Sequence, residues 1–162
     1  MKQVLSVLVE NQAGVLSKIT GLFARRAFNI DSLAVSVTTD ESVSRITMIV
    51  DSGSHAVEQV EKQLHKLICV IKVKKLESGE FIGRELIIVK VSAGTKSRGD
   101  IKDICDIMNA KISDISASTI TMELADTPDR VSLFQEMLAP FGIVEVARTG
   151  LIAVQRGSQY MG

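Results

Sequence analysis

Apolar residues recur at every second position over residues 4–9, where Leu5, Val7 and Val9 fall on one face and Val4, Ser6 and Leu8 on the other. Alternation of this kind predicts a strand. The period then changes: Val15, Ile19, Leu22 and Phe23 follow helical spacing, and the segment closes near Arg26. Leu33, Val35 and Val37 alternate again, with Ala34, Ser36 and Thr38 opposite. Asp40-Glu41 marks a turn, and Ile46, Met48 and Val50 predict a third strand. Asp51-Ser52-Gly53-Ser54 reads as a loop and helix start, followed by the apolar stripe Val57, Val60, Leu64 and Leu67. Residues 70–73 supply a fourth strand. The order is βαββαβ, the split-βαβ or ferredoxin-like arrangement.

The same order is predicted a second time. The polar stretch 77–83, with Glu77-Ser78-Gly79-Glu80, reads as a linker between a first domain at 1–76 and a second at 84–162. In the second, residues 86–91 form a strand, and Ile101, Ile104, Cys105 and Met108 line a helix. Strands follow at 112–115 and 119–124. Thr127-Pro128 predicts a helix start with Thr127 as N-cap and Pro128 in the first helical position. Val131, Phe134 and Leu138 line that helix, and a last strand begins at 143–146. The fold class is therefore α+β, built from two ferredoxin-like βαββαβ units. Both helices on one side of a four-stranded sheet leave its other face uncovered. In the first unit that face carries Val4, Ser6, Leu8, Ala34, Ser36 and Thr38. Pairing edge strands of two copies would bury exposed backbone, so a homodimer is expected.

Composition narrows the function classes. The chain has 162 residues, is 46% hydrophobic and has a mean hydropathy of +0.24. So small a chain has limited interior in which to bury that surface, which favours association with itself or a larger partner. Lysine plus arginine and aspartate plus glutamate number 19 each, so no net charge draws the chain to nucleic acid or membrane. The aromatic fraction of 4%, with no Trp and one Tyr, also argues against the base-stacking sheet of an RNA-binding domain. Lys72-Val73-Lys74-Lys75 reads as a solvated strand end. No apolar run approaches the ~20 residues of a membrane span, and strand-type alternation begins by Val4, leaving no signal peptide. The expected location is the cytoplasm. Cys69 and Cys105 show no CxxC spacing and read as reduced, buried thiols. His55 and His65 stand too far apart to face one another across one or two turns, and they lack the supporting ligands a metal site needs. No Ser-His-Asp constellation, paired carboxylates or phosphate-binding glycine motif marks a catalytic residue.

One stretch stands apart, Glu10-Asn11-Gln12-Ala13-Gly14-Val15-Leu16, between the first strand and first helix. A glycine turn there leaves backbone N–H groups open at a helix N-terminus, where the helix dipole attracts an anion. Asn11, and Asn29 ahead of the second strand, add amides that donate and accept. The stretch is either an ordinary turn or a holding site for a small anion or zwitterion. Spacing does not choose between them.

Residues 8–16 and 21–33, with Ser44-Arg45, residues 61–67, Arg84-Glu85-Leu86 and Val144-Glu145-Val146-Ala147-Arg148-Thr149-Gly150, resemble the ACT regulatory domain and, more narrowly, the acetolactate (acetohydroxyacid) synthase small-subunit family. The resemblance runs from about Val4 to Gly157. It implies an N-terminal ACT domain and a C-terminal ACT-like domain. It implies a non-catalytic subunit that binds and activates the large catalytic subunit and confers feedback inhibition, usually by valine, in branched-chain amino-acid biosynthesis. Thiamine diphosphate, FAD and magnesium are then expected on the catalytic subunit and none of them on this chain. The resemblance also assigns effector binding to Asn11, Gly14, Val15 and Leu16 of one protomer and Asn29 and Ile30 of another. The effector's carboxylate would meet backbone N–H groups, its ammonium the Asn carbonyl oxygens, and its side chain an apolar border of Val15, Leu16 and Ile30. Gly14→Asp should weaken inhibition by adding a like charge and crowding the turn.

One position departs from the family pattern. Ala27 stands where glycine is usual, so the chain there is either strained or shaped differently. Two alternatives accompany this reading. A free-standing amino-acid-sensing ACT protein acting on another target is disfavoured by the stretch 145–150. A ferredoxin-like acylphosphatase is disfavoured because the loop carries Glu10 and no Arg.

Overall fold

The computed structural model describes residues 2–51 and 54–161, with side chains for all of these except 54–56. Ser52 and Gly53 of the predicted loop, and the side chain of His55, lie outside the described residues. The chain divides into two compact units, Met1–Ile82 with Gly150–Gly162, and Gly83–Thr149.

In the first unit β1 (Lys2–Glu10), α1 (Val15–Arg25), β2 (Asn29–Val37), β3 (Val43–Asp51), α2 (Ser54–Leu64) and β4 (Val70–Leu76) follow the predicted order. The strands form an antiparallel sheet in the order β2-β3-β1-β4. Period two on the strands and 3.6 on the helices meet in one core. Leu5, Val7 and Val9 of β1 and Ile46, Met48 and Val50 of β3 pack with Val15, Ile19, Leu22 and Phe23 of α1 and Val57, Val60 and Leu64 of α2. Each such side chain contributes about 1.5–3 kcal/mol on burial.

The second unit repeats the pattern. It holds β5 (Phe81–Ser92) from Gly83 onward, α3 (Arg98–Met108), β6 (Lys111–Ile115), β7 (Thr119–Asp126), α4 (Pro128–Leu138), a 3-10 turn at Ala139–Phe141 and β8 (Ile143–Arg148). The sheet order β6-β7-β5-β8 is the same one shifted along the chain. Ile87, Val89 and Val91 pack with Ile101, Cys105, Met108, Val131, Phe134 and Leu138. Pro128 takes the first helical position as predicted, but the Thr127 hydroxyl makes no cap bond. The Asp126 side chain instead accepts the Thr127 N–H at 2.7 Å.

Two boundaries differ from the sequence reading. The proposed linker at 77–83 is mostly a tight turn, with Gly79 at φ +85° and Glu80 N–H donating to the Glu77 carbonyl at 3.1 Å, and β5 already begins at Phe81. The second domain read as 84–162 also ends sooner, because residues after 149 return to the first unit. There an additional strand, β9 (Ile152–Gln155), points Leu151 and Ala153 inward and leaves Ile152 and Val154 exposed. The Leu151 N–H donates to Ser32 Oγ at 2.9 Å. Four residues carry too little alternation to announce a strand, and their burial depends on a surface far away in sequence. The sheet face thought uncovered is therefore partly covered by the chain's own C-terminal segment.

Ala27 does take the strained conformation. Its φ is +54°, Phe28 N–H donates to the Phe23 carbonyl at 3.1 Å, and Ala27 N–H donates to the Ala24 carbonyl at 3.2 Å. This is a Schellman termination, completed by edge-to-face contact of Phe23 and Phe28 at 6.3 Å between ring centroids. Helix α3 ends the same way on Asn109, at φ +57°, a residue that tolerates the left-handed region better. Ala27→Gly should therefore stabilise the protein by about 1 kcal/mol. Chemical denaturation checks this, and a stability equal to or below that of the parent chain contradicts it.

Candidate functional site

The β1–α1 turn favours glycine. Gly14 has φ +84°, a conformation that the turn imposes and that other L-residues adopt only under strain. Lys18 N–H donates to the Gly14 carbonyl at 3.1 Å, the first bond of the helical ladder. Among the described residues no acceptor takes the N–H groups of Leu16 or Ser17. These are open donors at the positive end of the helix dipole.

Asn11 beside them is anchored. Its N–H donates to the Ser42 carbonyl at 2.7 Å and its Nδ2 to the Glu41 carbonyl at 2.8 Å, which leaves Oδ1 as an acceptor. The turn that anchors it is itself braced. The hydroxyl of Ser42 donates to Asp40 Oδ1 at 2.6 Å and its N–H at 2.9 Å, and these bonds hold the Asp40 carboxyl below its ordinary range. Asp40-Glu41 is legible in the sequence as a turn. Its pairing with a residue 30 positions earlier is not.

The side chains divide differently from the sequence reading. Val15 lies in the core, so only its backbone faces the turn. Leu16 is 42% exposed and available. Ile30, half-buried, packs against the first core. Asn29 donates through Nδ2 to Asp31 Oδ1 at 2.7 Å, again leaving Oδ1 free to accept, and Asp31 pairs with Lys2 at 3.0 Å.

The two halves do not meet within one chain. Glu10 pairs with Val43 at one end of the sheet, whereas Lys2 and Asn29 both pair with Asp51 at the other. The length of β1 separates them by roughly 25 Å.

Elsewhere the chemistry is sparse. Both cysteines are free and buried, and burial pushes the Cys105 thiol up. His65 is exposed. Among the described residues no cluster of His, Cys, Asp and Glu has the geometry to hold a metal, and no helix is long and apolar enough to cross a membrane.

Comparison with known proteins covers nearly the whole chain. Residues 5–72 match the model of the acetohydroxyacid synthase (AHAS) small subunit-like ACT domain, and residues 84–157 that of the small subunit of acetolactate synthase. The acetolactate synthase small subunit of Haemophilus influenzae is 44% identical over 160 residues, spanning 98% of each chain. The acetolactate synthase isozyme 3 small subunit of Escherichia coli is 39% identical over 162 residues, spanning 99% of each. The crystal structure of the Thermotoga maritima acetolactate synthase small subunit superposes with a TM-score of 0.90 at 32% identity, covering 98% of this chain and 99% of that one. With both of its ferredoxin-like units matched in order, the chain belongs to the family of acetolactate synthase small subunits, whose N-terminal unit is an ACT domain.

Proposed function

We propose that this chain is a regulatory subunit that binds the large catalytic subunit of acetolactate synthase, raises its activity, and confers feedback inhibition by a branched-chain amino acid, valine foremost. The chemistry, with thiamine diphosphate, FAD and magnesium, belongs on this reading to the large subunit. The observation that carries the reading is the left-handed Gly14 turn with the open N–H groups of Leu16 and Ser17 beside Asn11 Oδ1. An α-carboxylate and an α-ammonium need those two kinds of group at close range. A free-standing sensor finds no support in a second unit matched to acetolactate synthase small subunits over residues 84–157.

The site is completed by a second copy. β2 is an edge strand that leaves Val35 and Val37 exposed. If two β2 edges pair antiparallel about a twofold axis, the Val37 end of one meets the Asn29 end of the other. That brings the Asn11–Leu16 turn of one protomer toward Asn29 and Ile30 of its partner, a separation the single chain cannot close. Leu16 and Ile30 then border the effector's side chain.

Calorimetry of the chain with valine, leucine and isoleucine tests this, followed by titration of the reconstituted enzyme. Saturable binding in the micromolar-to-millimolar range is expected, about 4–8 kcal/mol. Its stoichiometry should be set by the dimer, and one of the three should inhibit the reconstituted enzyme. A chain that binds none of them, or stays monomeric while binding, overturns the proposed site.

A further inference from the structure

The first unit contains a cavity of about 140 Å³ on the sheet face away from its helices. Its floor is Ser6, Arg45 and Leu76, and the returning C-terminal segment roofs it with Ala153, Gln155 and Met161. Register explains the floor. Ser6 pairs with Thr47 and Leu8 with Arg45, so Ser6 and Arg45 are diagonal neighbours on one face. The volume is far above the roughly 10–15 Å³ that one water occupies.

Two buried polar atoms of this cavity, Ser6 Oγ and Gln155 Oε1, have no partner among the described residues. Ser6 is 1% exposed, and its Oγ has no hydrogen-bond partner among the described residues. Gln155 donates through Nε2 to Gln159 Oε1 at 3.3 Å, while its own Oε1 is buried with no donor among the described residues. Among the described residues no carboxylate or carbonyl takes a bond from Arg45. Buried orphan groups cost about 1–3 kcal/mol each and call for an explanation. The half-buried Arg45 guanidinium and the buried Ser6 hydroxyl donor suit an anion, and a guanidinium fork fits a carboxylate. The Gln155 oxygen asks for a donor on the same molecule. Arg45 nearby repels an ammonium, so a hydroxyl suits that donor better. Leu76, Ala153 and Met161 accommodate a small aliphatic body.

We infer that this cavity is a second ligand site, for a small 2-hydroxycarboxylate held by Arg45, Ser6 and Gln155. It stands apart from the Gly14 turn in residues and in chemistry, and it does not depend on the dimer. The C-terminal segment closes over the ligand, so binding also fixes residues 150–161 on the sheet.

The test is an amide-resolved NMR titration of the full chain with L-lactate as probe, alongside propionate and L-alanine. L-lactate is expected to produce saturable shifts at Ser6, Arg45 and Gln155. Propionate, which lacks the hydroxyl, and L-alanine, with an ammonium in its place, should each bind several-fold more weakly. Arg45→Gln should weaken lactate about tenfold or more, and Ser6→Ala by a smaller factor. Gly14→Asp should leave the lactate titration unchanged. The amide spectrum reports in the same experiment whether each variant is folded, and Ser6→Ala stands in if Arg45→Gln is not. Absence of saturable shifts at the cavity, shifts confined to the Gly14 turn, or lactate binding undiminished in a folded Arg45→Gln or Ser6→Ala chain overturns the inference.

Discussion

Gly14→Asp is expected to raise the valine concentration for half-maximal inhibition by about tenfold or more, while activation of the large subunit survives. The structure refines the reason. A Cβ at position 14 would meet nothing within 4 Å, so the side chain does not crowd the turn within this chain. Two other effects remain. The φ of +84° strains any L-residue by about 1–2 kcal/mol, least for Asp and Asn. On the proposed function, a carboxylate there also competes with the effector's own, and like charges at about 4 Å repel by roughly 1–4 kcal/mol, depending on solvent exposure. Folding should suffer little, because aspartate is a favoured residue at a helix N-terminus. Loss of sensitivity without loss of fold is the signature of a coupling free energy removed at one of two linked sites, typically 1–3 kcal/mol. Gly14→Ala separates the terms, since it carries the strain without the charge and should fall between the parent and Gly14→Asp. Valine titrations of the three reconstituted enzymes decide it. Unchanged inhibition in Gly14→Asp sinks the assignment.

What could be read in advance followed from local periodicity. Leu5, Val7 and Val9 announced β1, and Val15, Ile19, Leu22 and Phe23 announced α1, because each set lies on one face of its own element. Ala27 is half legible: the family pattern leaves it either strained or shaped differently, and its φ of +54° decides for strain. Features depending on distant pairs were not legible. Val15 was expected to face a ligand, but the same spacing that marks α1 commits it to the core. Nothing near Asn11 reveals that the Glu41 and Ser42 carbonyls hold it. Nor does anything near residue 150 reveal that the chain returns to Ser32. The pattern at 145–150 carries no reason in the sequence alone, and in the structure its residues serve separate ends. Arg148 pairs with Glu85, Thr149 N–H donates to the Leu86 carbonyl at 3.0 Å, and Gly150 sits where a Cβ would lie 2.7 Å from Ser32 Oγ.

Arg148→Met should destabilise the protein by about 2–3 kcal/mol, the largest change in stability expected from a single polar substitution in the second unit. Arg148 Nε and Nη2 each donate to Glu85 at 2.8 Å, a two-pronged pairing, and this bonding to Glu85 is the main influence raising the arginine's already high pKa. Glu85 is 7% exposed and Arg148 34%. The arginine stem therefore covers a carboxylate that solvent scarcely reaches. Breaking a fully buried pair costs about 3–5 kcal/mol, chiefly through the charge left unpaired, and partial exposure of Arg148 reduces that. Methionine keeps the stem's apolar contacts and removes only the guanidinium, so the loss reports on Glu85. If the penalty is the stranded charge, removing Glu85 as well should relieve it. Glu85→Leu with Arg148→Met should recover at least half of the lost stability, because burying two apolar side chains in place of an ion pair is often neutral. Thermal unfolding of the single and double variants checks this, with an expected fall of about 5–10 °C for Arg148→Met. A single variant as stable as the parent, or a double variant no better than Arg148→Met alone, would mean that the pair contributes no more than an exposed surface contact.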